Sequence, residues 1–179
     1  MDYKVITNPK NPLYGKSYEE VLEMVKREPH VLQYVKEQTP ELCLAAVQRD
    51  AWALRYVKEQ TFELRLAAVK QNGWALPFVQ QQTSELCLAA IQQNVDAFLY
   101  VNHQTPELCL AAIQQNAYVL QFVKEQTPEL CLAAVQKNPY ALRYVQEQTP
   151  EICLAAVQQN GEVLQYVWDE FYEEVKASL

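Results

Sequence analysis

One phrase of the sequence returns at a fixed interval of 22 residues. It reads QTPELCLAAV from Gln38 and comes back, with small changes, from Gln60, Gln82, Gln104, Gln126 and Gln148. A constant period of this length is typical of repeat proteins, in which each structural unit buries its apolar face against the next. The period therefore predicts a stack of similar units rather than a conventional globular domain.

The same register extends to both ends of the repeated region. KSYEEVLEMVKREPHVLQYVKE begins at Lys16 in the frame of the phrase, and FYEEV near the C-terminus echoes SYEEV of that stretch. We predict seven repeats and a half-repeat cap over 170–179, with residues 1–15 as an N-terminal extension to a single repeat domain over 16–179. The repeats are 16–37, 38–59, 60–81, 82–103, 104–125, 126–147 and 148–169.

Each repeat contains the start signals of two helices. In repeat 6, Thr127 suits an N-cap and Pro128 the first helical position, and Asn138 with Pro139 repeats this arrangement further along. Helices of roughly ten residues are hardly stable alone, so stacking must hold them. We therefore predict an all-α fold, an α-solenoid of seven 22-residue two-helix repeats plus a C-terminal half-repeat cap.

Helical periodicity predicts an inner and an outer face for each second helix. In repeat 6 we expect this helix to end at about Glu147. The residues predicted to face inward are Ala141, Leu142, Tyr144 and Val145. The residues predicted to face outward are Tyr140, Arg143, Gln146 and Glu147. The outer positions vary between repeats, whereas the inner ones are nearly constant.

The segments AAIQQNAYVLQFV and AAVQKNPYALRYV resemble the bacterial and viral repeat family called domain of unknown function 4116. Its units read roughly A-V-x-x-N-x-x-A-L-x-Y, and the resemblance covers residues 16–169. A looser similarity is to leucine-rich variant repeats, which also stack short helices. The resemblance implies a fold; it brings no catalytic residue, metal ligand or cofactor with it.

The cysteines occupy one position of the repeat: Cys43, Cys87, Cys109, Cys131 and Cys153. Helices in contact lie about 8–10 Å apart, too far for a disulfide between equivalent residues or for joint metal binding. We therefore expect buried, reduced thiols, which favours a cytoplasmic location. His30 and His103 lie far apart, and the few glycines cannot form a phosphate-binding loop. We expect no metal, no cofactor and no enzymatic activity.

Repeats 3 and 4 depart from the pattern. Arg65 replaces the repeat cysteine, Pro77 enters a second helix, and Asp96 and His103 follow at places held by other residues elsewhere. Arg65 must reach water or an acceptor, and Pro77 is expected to bend or shorten its helix. These changes are either drift that the array tolerates or a bend or recognition point near Arg65.

The variable outer rows of the second helices are our candidate partner-binding surface. Its residues are Trp52, Arg55, Trp74, Tyr118, Tyr140 and Arg143. Aromatic and Arg side chains are common anchors of protein interfaces, so we predict a non-enzymatic protein-protein interaction scaffold. The alternative for these rings is packing against the neighbouring repeat, which would bury most of each side chain.

Charge narrows the class of partner. The formal net charge is −7, and residues 82–179 carry 4 Lys or Arg against 12 Asp or Glu. Nucleic-acid affinity depends largely on basic residues, so nucleic acid is an unlikely partner and another protein, possibly basic, is favoured. Two alternatives stay open: repeat-wise nucleic-acid binding, and an acidic decoy that inhibits a nucleic-acid-binding protein. No membrane-spanning segment is expected, and the oligomeric state is open.

Overall fold

A computed structural model describes residues 10–178 of the chain. This part contains eight α-helices and seven 3-10 helices, which alternate, and no strand. The α-helices are α1 (Tyr18–Arg27), α2 (Pro40–Arg49), α3 (Phe62–Gln71), α4 (Ser84–Gln93), α5 (Pro106–Gln115), α6 (Pro128–Lys137), α7 (Pro150–Val157) and α8 (Asp169–Ala177). The 3-10 helices are η1 (Pro29–Tyr34), η2 (Ala51–Tyr56), η3 (Gly73–Phe78), η4 (Val95–Tyr100), η5 (Ala117–Phe122), η6 (Pro139–Tyr144) and η7 (Gly161–Tyr166). The predicted all-α class and the 22-residue spacing of helix pairs are confirmed.

The predicted helix caps are confirmed as well. The Thr127 hydroxyl accepts a hydrogen bond from the Leu130 N–H, and the Asn138 side chain accepts one from the Tyr140 N–H at 3.0 Å. Asp50 caps η2 in the same way at 2.9 Å. Each cap satisfies one backbone donor that the first turn of a helix leaves without an intrahelical partner.

The second helix of each repeat is shorter and tighter than predicted. In repeat 6 it is a six-residue 3-10 helix that ends at Tyr144, not near Glu147. Val145 has extended backbone angles, and its N–H closes the helix with a bond to the Leu142 carbonyl at 3.1 Å. The chain leaves the helix there because a side-chain amide from the start of the repeat binds the terminal carbonyl.

That amide belongs to the glutamine that opens each repetition of the phrase. Gln126 Nε2 donates to the carbonyl of Leu120 at 2.9 Å and to that of Tyr144 at 3.0 Å. Its Oε1 accepts from the Gln146 N–H at 3.0 Å. The equivalent bond to the last residue of the 3-10 helix recurs for Gln38, Gln60, Gln82, Gln104 and Gln148. The glutamine thus satisfies the terminal Tyr144 carbonyl and gives a second bond to the Leu120 carbonyl, which already accepts from the Val123 N–H.

The first repeat begins with Lys16 instead of glutamine, and the preceding segment supplies the missing amide. Asn11 Nδ2 donates to the Tyr34 carbonyl at 2.9 Å, and Leu13 is fully buried. The part of the predicted extension that is described, residues 10–15, therefore packs on repeat 1. Residues 1–9 of that extension, and Leu179 of the predicted cap, lie outside the described residues.

Contacts divide the chain into two compact modules, and the boundary lies between Tyr100 and Val101. In the N-terminal module, α1 to α4 pack in succession and η1 to η4 do the same. In the C-terminal module, α5 to α8 form one row and η5 to η7 the other. Leucine, alanine and valine fill the space between the rows; in repeat 6 the buried residues include Leu130, Ala134, Val135, Ala141 and Leu142. The 3-10 rows carry the candidate surface.

Candidate protein-binding surface

Aromatic rings of consecutive 3-10 helices pack against each other on the surface of the N-terminal module. Trp52 of η2 meets Phe78 of η3, with ring centres 5.4 Å apart and planes at 52°. Trp74 of η3 meets Tyr100 of η4 at 5.5 Å and 63°. Tilted and edge-to-face pairs of this kind are the favoured arrangements of aromatic rings. The candidate residues Trp52 and Trp74 are thus each placed in a ring pair with the following repeat.

The C-terminal module repeats the arrangement. Tyr118 meets Tyr144 with centres 5.9 Å apart, and Tyr140 meets Tyr166 at 6.4 Å. The Tyr140 hydroxyl also donates to Glu162 Oε2 at 2.5 Å, and this bond raises the pKa of the Tyr140 phenol. We refer to Trp52–Phe78, Trp74–Tyr100, Tyr118–Tyr144 and Tyr140–Tyr166 as the four ring pairs. In every pair the two residues are 26 positions apart.

The outer rings were expected either to be presented at the surface or to pack against the neighbouring repeat, and the ring pairs show that both occur. Trp52 is exposed, whereas Trp74, Tyr118 and Tyr140 are half-buried. Packing against the neighbouring repeat and presentation at the surface therefore occur together. The rings contact each other above a core of leucine and alanine, and none of the four is itself buried.

Two candidate arginines lie over these rings. The Arg55 guanidinium carbon is 4.5 Å from the centre of the Phe78 ring and 5.0 Å from that of Trp52. The Arg143 guanidinium carbon is 5.2 Å from the centre of the Tyr144 ring and 5.5 Å from that of Tyr118. These are cation–π distances, so in both modules the candidate surface combines aromatic rings with an arginine that they bind.

The second member of each ring pair was assigned to the wrong face from the sequence. Tyr144 and its equivalents were predicted to face inward, yet Tyr34, Tyr100 and Phe122 are 41%, 39% and 45% exposed, and Tyr144 is only half-buried. The α-helical angle used for that prediction does not apply to a 3-10 helix, which ends at this residue. The ring therefore lies over the preceding repeat, since the inner space is filled by Leu142 and Val145.

The four symmetry-breaking candidates do not form one site. Pro77 and Asp96 lie on η3 and η4, the helices that carry the Trp74–Tyr100 pair. Arg65 lies in α3, where its guanidinium donates to the carbonyls of Gln81 at 2.9 Å and Thr61 at 3.3 Å. The expectation that Arg65 reaches an acceptor is confirmed. His103 is exposed in the C-terminal module, where it lines a pocket with Lys124 and Glu125.

Pro77 neither shortens nor distorts its helix, so that expectation is wrong. The helix η3 keeps the six residues of the other 3-10 helices, and Val79 closes it with the 3.1 Å bond that Val57 makes after η2. The fixed φ of proline falls within the range of a 3-10 helix, and only one backbone donor is lost.

All five cysteines are free and buried. Burial raises the pKa of each thiol, to about 11 for Cys131 and Cys153. Four of them direct Sγ at the Oε1 atom of the repeat glutamine, at 3.3 Å for Cys153 and 3.6 Å for Cys131. The thiols therefore belong to the packing around the glutamine. A thiol with a raised pKa is a poor nucleophile at neutral pH.

Residues 10–178 contain neither a metal-binding cluster nor a membrane-spanning helix. No three His, Cys, Asp or Glu side chains in this range are placed to hold a metal ion. No helix in the same range combines the length and the apolar content that crossing a bilayer requires.

Comparison with protein families identifies one segment of the chain. Residues 105–148 match the family model described as Domain of unknown function (DUF4116). The matched segment runs from Thr105, the cap of α5, to Gln148 at the start of repeat 7. The resemblance inferred from the repeat motif is thereby confirmed for this part of the chain. Comparisons with curated proteins and with solved structures found no match.

Proposed function

We propose that the protein is a non-enzymatic scaffold that binds another protein through the exposed side of its 3-10 helices. The proposed contact residues are Trp52, Arg55, Trp74, Tyr118, Tyr140 and Arg143. To these we add the second members of the ring pairs, Phe78, Tyr100, Tyr144 and Tyr166. The reduced state expected of the five buried thiols supports a cytoplasmic setting for this binding.

The observation that carries the proposal is the set of four ring pairs. Tryptophan, tyrosine and arginine are the residues most enriched among energetic anchors of protein interfaces. Within each module they occupy the same side of consecutive 3-10 helices, and each ring is held in place by its neighbour. A pre-ordered ring loses less conformational entropy on binding than a free one, so less of the contact energy is lost in ordering it.

Charge supports a basic protein as the partner. Residues 82–179 carry 12 acidic and 4 basic side chains, so phosphate groups would meet net repulsion along this half of the chain. Aromatic rings with arginine also suit the stacking of unpaired bases, which keeps nucleic acid as an outcome of the test. The balance of charge favours a basic protein surface.

The test compares two double variants, one on the 3-10 helices and one on the α-helices. Trp74→Ala with Tyr118→Ala removes one ring from a pair in each module. Leu44→Ala with Leu110→Ala is the control, because these leucines are 40% and 38% exposed but lie on α2 and α5. A partner captured from the native host with the wild-type chain is identified by mass spectrometry, and its affinity for each variant is measured by calorimetry.

We expect the ring variant to bind the partner about tenfold more weakly or worse, whereas the leucine variant binds like the wild type. Each lost ring pair is expected to cost about 0.5–1.5 kcal/mol of folding stability in addition to the apolar area that the ring buries, so a circular dichroism melt verifies that each variant is folded. Equal loss of affinity in both variants, or in neither, would contradict the proposal. Capture of RNA or DNA with a strong salt dependence would favour the nucleic-acid alternative.

A further inference from the structure

One ring pair of this surface already holds an arginine of the chain itself, Arg55. Its guanidinium lies over both members of the Trp52–Phe78 pair, and its Nε donates to the Trp52 carbonyl at 3.1 Å. Arginine is thus held by two rings and one backbone acceptor. The chain supplies this arginine itself, from the fifth residue of η2.

The next repeat contains the same ring pair without the arginine. The Trp74–Tyr100 centres are 5.5 Å apart with planes at 63°, against 5.4 Å and 52° for Trp52–Phe78. The position of Arg55 is held in η3 by Pro77, whose ring is too short to cover the pair and has no charge. The N-terminal module therefore carries two similar ring pairs, of which one is covered by an arginine of the chain.

The backbone acceptor is repeated too. The carbonyl of the second residue of the 3-10 helix accepts a side-chain bond from Arg55 in η2, from Gln121 in η5 and from Gln165 in η7. The bonds from the two glutamines are both 3.0 Å long. Pro77 has neither a side-chain donor nor a backbone N–H, so it gives no such bond to the Trp74 carbonyl.

An acidic side chain stands where it can complete an arginine site. Asp96 occupies the place in η4 that Glu162 occupies in η7, and the Glu162 carboxylate accepts a bond from the Tyr140 hydroxyl of the preceding repeat. Asp96, one methylene group shorter, therefore holds the equivalent position relative to Trp74. Asp96 is exposed and forms none of the ion pairs found among residues 10–178. Leu99, 46% exposed, offers apolar surface for the methylene groups of an arginine.

We propose that the Trp74–Tyr100 pair, with the Trp74 carbonyl and Asp96, binds an arginine side chain of the partner protein. The proposal rests on the function proposed above and specifies its chemistry at one repeat. Rings bind the face of the guanidinium, while the carbonyl and the carboxylate accept its N–H groups. Lysine fits less well, because its compact ammonium is strongly hydrated and lacks the planar fork.

The experiment blocks the proposed site with an arginine of the chain itself. Pro77→Arg places an arginine where Arg55 stands one repeat earlier, so it should cover the Trp74–Tyr100 pair. Gln33→Arg makes the same addition at the equivalent position of η1, away from the pair. The probe is N-acetyl-L-arginine N-methylamide, and its binding is followed by the NMR signal of the Trp74 indole N–H. The uncharged citrulline analogue and the lysine analogue serve as ligand controls.

We expect the arginine probe to shift the Trp74 signal in the wild type and in Gln33→Arg. In Pro77→Arg and in Asp96→Asn we expect binding weaker by about tenfold or more. A normal circular dichroism melt of Pro77→Arg verifies that the fold is kept. Equal binding of the citrulline analogue, or unchanged binding in Pro77→Arg, would overturn the arginine site.

Failure of this proposal is distinguishable from failure of the proposed function. If the arginine probe does not bind but Trp74→Ala with Tyr118→Ala still weakens partner binding, the surface recognises its partner by other side chains. If a proline-rich peptide shifts the Trp74 signal and the arginine probe does not, the ring pair binds proline instead. Unchanged partner binding in the ring variant, together with no shift of the Trp74 signal by the arginine probe in the wild type, would reject both proposals.

Discussion

Gly73→Ala perturbs a close approach between repeats 3 and 4 in the N-terminal module. A Cβ atom at position 73 would lie 2.6 Å from the Ala90 carbonyl oxygen, 3.1 Å from Gln93 Oε1 and 3.3 Å from the Ala97 methyl group. Two of these neighbours, the carbonyl and the methyl group, cannot rotate away. The Gly73 N–H also donates to Gln93 Oε1 at 2.6 Å, so the added Cβ atom would crowd the acceptor of this bond.

The expected cost follows from these distances. Carbon–oxygen contacts are normally about 3.3–3.6 Å, so η3 and α4 must separate by roughly 0.7 Å or more. Overpacking of this kind typically costs about 1–3 kcal/mol, and weakening of the Gly73–Gln93 bond adds about 0.5–1.5 kcal/mol. Replacement of glycine by alanine recovers about 0.4–1 kcal/mol by restricting the unfolded chain. We therefore expect a net loss of about 0.5–4 kcal/mol, with a midpoint of roughly 2 kcal/mol.

Gly161 provides the matched control. It holds the equivalent position in repeat 7, is exposed, and a Cβ atom there would meet nothing within 4 Å. Gly161→Ala should therefore leave stability unchanged or raise it by up to about 1 kcal/mol. Urea unfolding is followed by circular dichroism and by tryptophan fluorescence, since Trp74 adjoins the perturbed site. Equal stability of the two variants would refute the close approach of η3 and α4.

Two further predictions concern the glutamine and the thiols. Gln126→Glu removes two amide bonds to terminal carbonyls and should cost about 2 kcal/mol or more in urea unfolding. The same change at exposed Gln146 should cost less than about 0.5 kcal/mol, and similar losses at both positions would contradict the role of the repeat glutamine. Burial raises the pKa of Cys153 from 9.0 to about 11, so the folded chain holds this proton more tightly. The protonated thiol therefore contributes up to roughly 3 kcal/mol to the free energy of unfolding. This contribution is fully present below pH 9 and is lost as the pH rises from about 9 to 11. Cys153→Ala should flatten the stability curve over this interval, and an unchanged slope would show that the thiol is not buried.

Features that depend on local chemistry could be predicted from the sequence. The caps Thr127 and Asn138 act on backbone donors within three residues of themselves, so their pattern defines the helix starts. The repeat period defines which leucines and alanines are buried, because each repeat packs on a near copy of itself. The requirement that Arg65 find an acceptor followed from the cost of burying a charge.

The candidate surface was only half predictable. The first member of each ring pair was predicted correctly to face outward, because its residue type varies between repeats. The second member was predicted to face inward, because an α-helical angle was assumed for what is a six-residue 3-10 helix. A signal was present: aromatic residues recur 26 positions apart, as at Trp52 and Phe78 or Tyr118 and Tyr144. The role of the repeat glutamine was not predicted, because its amide binds carbonyls of two repeats that only the folded structure brings together.

Site-specific photo-crosslinking tests most directly whether the 3-10 helices form the recognition surface. A photoreactive phenylalanine analogue is placed at Leu99, which is 46% exposed beside the Trp74–Tyr100 pair, or at Leu44 on α2, which is 40% exposed. We predict a covalent adduct with a partner protein from position 99 in the native host, lost when Trp74→Ala is added, and none from position 44. An adduct from position 44 alone would place the recognition surface on the α-helices and contradict the account.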